Sequence, residues 1–141
     1  MDENGPRLIV DTNIWLERLL EQERADEVAR LLNVIPDRDL AISEFSFYSI
    51  GHILTEREQH LGFRRFVTDV FVDGNVSVAR LTGEDFYDVL DAIEQFRLDF
   101  DDAYQYVAAT SRELKLVSFD TDFDRTDLER IEPTDVLDQL G

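Results

Sequence analysis

The feature that most constrains the fold of this chain is the order of its apolar residues. Short apolar runs end abruptly in polar residues, and a stretch with helical spacing follows most of them. Arg7 to Val10 stops at Asp11-Thr12-Asn13, and helical spacing starts at Ile14, Trp15 and Leu16. Ala25 to Leu32 continues as helix, Pro36 to Asp39 supplies turn chemistry, and Leu40 to Ile42 forms a second run. Ser43 then stands where an N-cap belongs, ahead of a helix running towards Gln59 with Phe45, Tyr48, His52 and Ile53 on one side. Gly62 and Gly74 bracket a further amphipathic helix, Val76 to Ala79 reads as a third strand, and Thr82 with Asp85 caps a helix ending near Phe96. Asp101 and Asp102 open the next helix, with a stripe of Ala103, Val107, Ala108 and Leu114. Leu116 to Ser118 is a fourth strand, Phe119 to Phe123 an acidic loop, Arg130 to Glu132 a fifth strand, and Pro133 or Thr134 starts a terminal helix. Strands alternating with helices imply an α/β fold, a small doubly wound parallel sheet with helices on both faces. In such folds a site is built beyond the carboxyl ends of the strands. Asp11, Ser43 and Asp120 fall at those ends.

The length of 141 residues suits a single domain spanning 1–141. With no cysteine, disulfides and thiolate zinc sites are excluded, so any metal must be held by oxygen or by the two histidines. The amino terminus carries Asp2 and Glu3 where a signal peptide needs basic residues, and the apolar runs are too short to span a membrane. The expected location is therefore the cytoplasm. Formal net charge is -18, and Lys115 is the sole lysine beside thirteen arginines. The apolar fraction of 43% and the ten Phe, four Tyr and one Trp argue against disorder. Adaptation to a salty cytoplasm, a halophilic composition, accounts for such a surface, because screening suppresses its self-repulsion.

Several chemistries are excluded by what is missing. Six glycines form no nucleotide-binding loop. Asp11-Thr12-Asn13 lacks the second aspartate of aspartyl-phosphate phosphatases, and Lys115 precedes the fourth strand, unlike the lysine of phospho-receiver domains. His52 and His60 are too far apart to share a metal and read as packing or surface residues. Carboxylates remain. Asp11, Asp101, Asp102, Asp120, Asp122 and Asp124 all fall at strand ends, a helix start or one tight loop. A helix start tolerates Asp102 for capping alone. Asp11 beside a buried strand is costly unless donors or a cation compensate it. Crowded carboxylates of this kind suit hard divalent ions, Mg²⁺ or Mn²⁺.

Three segments resemble the spaced acidic motifs of PIN domains: Leu8-Ile9-Val10-Asp11-Thr12-Asn13, Asp101-Asp102-Ala103 with Ala108 and Ala109, and Ser118-Phe119-Asp120-Thr121-Asp122-Phe123. The resemblance covers most of the chain. It implies Mg²⁺ or Mn²⁺ held by acidic side chains, hydrolysis of RNA to 5′-phosphate products, and similarity to the toxin half of VapBC pairs. The partners implied are an RNA substrate, an antitoxin protein and a second copy of the chain. Carried over residue by residue, Asp11, Asp102 and Asp120 match the metal-site and catalytic acids, and Asp122 a frequent fourth ligand. Thr12, Asn13, Ser43, Asp101 and Ser118 match supporting polar positions, and Arg7, Arg38, Arg64 or Arg65 are candidates to grip phosphates. One position departs: six residues after Ser43 the family carries a glutamate, and here Ser49 stands there. Glu44 and Glu56 are poor replacements on helical geometry. The alternative reading is a catalytically impaired PIN-like binding module acting through a protein partner or dimer.

Overall fold

The computed structural model describes residues 5–140, so the acidic start of the chain, Met1 to Asn4, lies outside the described residues. Five short strands, β1 (Leu8–Val10), β2 (Leu40–Ser43), β3 (Ser77–Ala79), β4 (Lys115–Val117) and β5 (Arg130–Ile131), form one sheet in the order β3-β2-β1-β4-β5. All neighbouring pairs are parallel, and the central register sets Leu8 opposite both Leu40 and Lys115. The chain steps outward from β1 to β3 and then returns to the other side of β1. The reversal lies between β1 and β4, where a cleft opens beyond the carboxyl ends of an open parallel sheet.

Side chains alternate across the pleat, so each strand feeds two cores. Leu8, Val10, Leu40, Ile42, Val117 and Ile131 pack on one face against Ile14 and Trp15 of α1 (Thr12–Leu19), Val28 and Leu31 of α2 (Ala25–Val34), and Ile50 and Leu54 of α3 (Glu44–Glu56). Phe66 of α4 (His60–Val67) and Val136 of α7 (Pro133–Leu140) complete that layer. Ile9, Ala41, Ala79 and Leu116 face the other way, against Ala108 and Ala109 of α6 (Phe100–Thr110) and Phe123. A satellite core joins α6 to α5 (Asp85–Phe96) through Val89, Ala92, Ala103 and Val107. The small alanines on both sides of this second layer allow α6 to approach the sheet closely, which carries the start of α6 towards the sheet's carboxyl edge.

Several local expectations shift in the structure. α3 buries Ser46, Ile50 and Leu54, whereas Tyr48 is 62% exposed and His52 is exposed, so the apolar side lies elsewhere than Phe45-Tyr48-His52. The cause is partner geometry: Phe45 leaves the sheet side to pack on Phe100 and Tyr104 of α6 at ring-centroid distances of 6.1 and 5.6 Å. α3 stops at Glu56, and Gly62 sits inside α4, which runs on through a π-helical turn, Thr68–Val72, instead of being bracketed by glycines. Asp99, not Asp101 or Asp102, caps α6, accepting from the Asp102 amide at 2.9 Å. Thr82 and Asp85 are paired at the start of α5, with Asp85 Oδ2 accepting from the Thr82 amide at 2.7 Å, but the N-cap itself is Glu84, whose side chain makes no capping bond. Leu114 is buried beyond the end of α6, in the turn leading into β4.

Candidate metal centre

Asp11 is the first residue beyond β1 and the N-cap of α1, so both the strand and the helix fix its carboxylate. Its backbone amide donates to Val117 O at 2.9 Å, which ties the end of β1 to β4. The side chain is only 6% exposed. Oδ1 accepts from the Thr12 amide at 2.8 Å and from Gln105 Nε2 at 2.7 Å, and Oδ2 accepts from Ser118 Oγ at 2.6 Å. Burial pushes the Asp11 carboxyl up from its ordinary value, opposed by the Ser118, Gln105 and Thr12 hydrogen bonds.

The other acids arrive from separate elements. Asp102 stands in the first turn of α6 and is buried. Asp120 caps a 3-10 turn, Thr121–Arg125, by accepting from the Asp122 amide at 2.9 Å. Phe123, fully buried in that turn, anchors the acidic loop to the second core. Among the described residues, Asp102, Asp120 and Asp122 each offer one carboxylate oxygen within 4.8 Å of those of the other two. Asp11 lies beside this trio and is outside it, yet lines the same cleft. Asp102 is pushed up to about 8, first by burial, then by the charge of Asp120 and a hydrogen bond with it, and further by Asp99 and Asp11. Asp122 is half exposed and pairs with Arg125 at 3.2 Å.

The cleft has a volume of about 260 Å³ and is lined by Asp11, Thr12, Asn13, Ser49, Asp101, Asp102, Gln105 and Asp120, with Leu16, Phe45 and Ile53 as its apolar wall. Ser49 therefore faces the cleft, as a hydroxyl. Asp101 lines it too but is exposed, with its carboxyl raised by burial and by Asp99. Asn13 lines the cleft and is tied to Ser118, which is fully buried and outside the lining: Asn13 Nδ2 donates to Ser118 Oγ at 3.3 Å, and Asn13 Oδ1 accepts from the Phe119 amide at 3.3 Å. The Ser118 hydroxyl also accepts from the Asp120 amide at 3.0 Å, so one oxygen links Asp11 to Asp120. Ser43 is fully buried and caps α3 by accepting from the Ser46 amide at 2.9 Å, outside the cleft lining. Glu44 pairs with Arg80 at 2.8 Å, away from the acids. Glu56 lines a neighbouring hollow of about 330 Å³ that shares Asn13, Leu16 and Ile53 with the cleft. Arg7 pairs with Asp39 at 3.1 Å, and neither it nor Arg38, Arg64 or Arg65 lines the cleft. Ser46 and Gln105 are the site residues that sequence reasoning missed. Their signal was a polar residue three positions after Ser43 and three after Asp102, the helical spacing that returns to the same face.

The donor set fits a hard divalent cation. Three carboxylates converge, all donors are oxygen, and burial together with their mutual repulsion raises the Asp102 carboxyl, a cost that a cation between them would relieve.

Fold and site together define a parallel α/β protein with an acidic cleft at the switch point of its sheet. The chain belongs to the PIN domain family, whose model matches residues 8–129. No curated protein matches it significantly. Among solved structures it is similar to the sarcin-ricin loop cleaving toxin VapC20 of Mycobacterium tuberculosis, with a TM-score of 0.75 and 18% identity over 89% of this chain and 99% of that one. A toxin-antitoxin complex from Klebsiella pneumoniae is similar at TM-score 0.70 and 18% identity, covering 89% of this chain and 97% of that one. VapBC2 from Rickettsia felis, bound to a DNA fragment from its promoter, follows at TM-score 0.67 and 14% identity, covering 87% and 97%. At such identities the likeness concerns the fold.

Proposed function

We propose that the chain, working as one domain over residues 1–141, is an endoribonuclease that hydrolyses RNA phosphodiester bonds with Mg²⁺ or Mn²⁺, and that it serves as the toxin of a toxin-antitoxin pair. The observation that carries the reading is the convergence of Asp102, Asp120 and Asp122 within 4.8 Å beside buried Asp11. Membership of the PIN family and a fold shared with VapC-type toxins support it. An antitoxin protein and a second copy of the chain are the protein partners proposed. A cytoplasmic location is part of the proposal; among the described residues no helix is long and apolar enough to cross a membrane.

In this reading Asp11, Asp102, Asp120 and Asp122 hold the cation. Once bound, the ion supplies Lewis-acid activation of the phosphodiester and of the attacking water. The chain's own residues do the rest. Burial and the charges of Asp120, Asp99 and Asp11 favour the protonated form of Asp102, and a bound cation would favour its ionised form. Ser118 and Asn13 keep Asp11 and Asp120 in register through one shared hydroxyl. Phe45, Leu16 and Ile53 exclude water from one wall. His52 and His60 are both exposed and away from the cleft lining, so imidazole acid-base chemistry has no part in it.

Ser49 favours the second reading, a catalytically impaired PIN-like binding module, because it brings a neutral hydroxyl to the cleft where a carboxylate would complete the ligand set. Incubating the chain with structured and single-stranded RNA in Mn²⁺ or chelator, with Asp11→Asn as control, separates the two. Metal-dependent cleavage lost in Asp11→Asn supports the nuclease. Metal uptake without cleavage of any RNA tested supports the binding module.

A further inference from the structure

Gln105 lies on α6 among Ala103, Tyr104, Val107, Ala108 and Ala109, all buried, and is itself 1% exposed. A buried amide is tolerated when its polar atoms are matched. Both protons of Nε2 are used, one towards Asp11 Oδ1 at 2.7 Å and one towards Ser46 Oγ at 2.8 Å. Oε1, in contrast, is buried with no hydrogen-bond partner. Turning the amide over would press that oxygen against a carboxylate, which in its ionised form only accepts. Asp11 therefore dictates the orientation, and the orphaned oxygen is its cost. An apolar side chain of similar length would fill the same space without that burden, so packing does not account for the residue.

We infer that Gln105 is a positioning residue of the cation site, acting through Asp11. A carboxylate offers about four acceptor positions. On Asp11 the Thr12 amide, Gln105 and Ser118 take three of them, and both of the first two fall on Oδ1. Gln105 thus locks Oδ1 and leaves the remaining acceptor position on Oδ2 for a divalent ion. Ser46 anchors the amide from α3, and its hydroxyl reaches on to Thr12 Oγ1 at 2.7 Å, so α1, α3 and α6 are joined at this point. The unpartnered oxygen is the mark of a residue that serves the site at some expense to the fold.

The inference rests on the metal-dependent reading above, and calorimetric titration of the whole chain with Mn²⁺, alongside thermal melting in chelator, tests the two separately. Gln105→Met keeps the length and removes both donors. The expected result is a dissociation constant for Mn²⁺ about ten- to a hundredfold weaker, the usual loss when the partner of a ligating group is removed. The chelator melting temperature should stay level or rise. A lower melting temperature with unchanged Mn²⁺ affinity means that Gln105 is structural, and overturns the inference while the metal reading stands. If Gln105→Met does not fold, Ser46→Ala decides: it removes the second acceptor of Gln105 Nε2, freeing the amide to turn away from Asp11, and should weaken Mn²⁺ several-fold, and equal affinity overturns the inference. Failure of the unaltered chain to take up Mn²⁺ sinks the metal reading itself and this inference with it.

Discussion

Replacing Asp102 by Asn should make the metal-free protein more stable and the metal-loaded protein relatively less so. Asp102 is buried near Asp120, Asp11 and Asp99, and its carboxyl rises from 3.8 to about 8. Because folding raises this pKa, the folded state binds more protons than the unfolded state across that interval, and stability falls as pH rises through it. The penalty is absent below about pH 4, grows to about pH 8, and is constant above. At neutral pH the interval from 3.8 corresponds to about 4 kcal/mol, at about 1.4 kcal/mol per pH unit. Asp120 shares that burden and the open cleft admits solvent, so about half, or ~2 kcal/mol, is the reasonable expectation. For a chain of this size ~2 kcal/mol corresponds to about 8 °C in melting temperature. Mn²⁺ at a hundredfold excess over its dissociation constant should then add about 2.7 kcal/mol to the native chain and much less to Asp102→Asn. Melting both forms from pH 4 to pH 9, in chelator and in Mn²⁺, gives four curves. The two forms should agree near pH 4, separate as pH rises in chelator, and reverse order in metal. A variant less stable than the native chain in chelator at pH 8, or one that gains as much from Mn²⁺, would refute the crowding argument.

Three further outcomes are expected. Stability should rise with KCl, because a net charge of -18 repels itself across a Debye length that shrinks from about 10 Å at 0.1 M to about 3 Å at 1 M; melting temperatures independent of salt would remove the halophilic reading of the composition. Ser49→Glu should tighten Mn²⁺ binding, since Ser49 lines the cleft and a hard cation gains most from an added anionic oxygen, with calorimetry as the measurement and unchanged affinity as the contrary result. Phe123→Ala should cost about 3–5 kcal/mol by chemical denaturation, as for other fully buried phenylalanines, and should weaken Mn²⁺ as well, because the same side chain anchors the turn bearing Asp120 and Asp122; metal affinity surviving that loss of stability would mean the acidic turn holds its shape without the core.

By itself the sequence determined what depends on near neighbours along the chain. The apolar runs specified all five strands to within a residue, the fifth expected over Arg130 to Glu132 and found as Arg130–Ile131, because period and composition are local properties. The cap at Ser43 and the bond from Thr82 to Asp85 were legible for the same reason, since such a side chain reaches only three residues. The three acidic segments were legible as residue types at strand ends and a helix start. Rotation of a helix about its axis was not: α3 turns Ser46 inward and Tyr48 outward because aromatic rings of α6 claim Phe45. The choice of Asp99 over Asp101 as the α6 cap was likewise open, because three acids in four residues satisfy the same local rule. Tertiary structure alone decided the site. Asp11 and Gln105 are 94 residues apart in sequence and 2.7 Å apart in space. They meet because β4 pairs beside β1 and an alanine-faced α6 packs close to the sheet. No local pattern encodes that pairing; it follows from burying both faces of one sheet at once, which sets the distances between carboxylates that the chain keeps far apart.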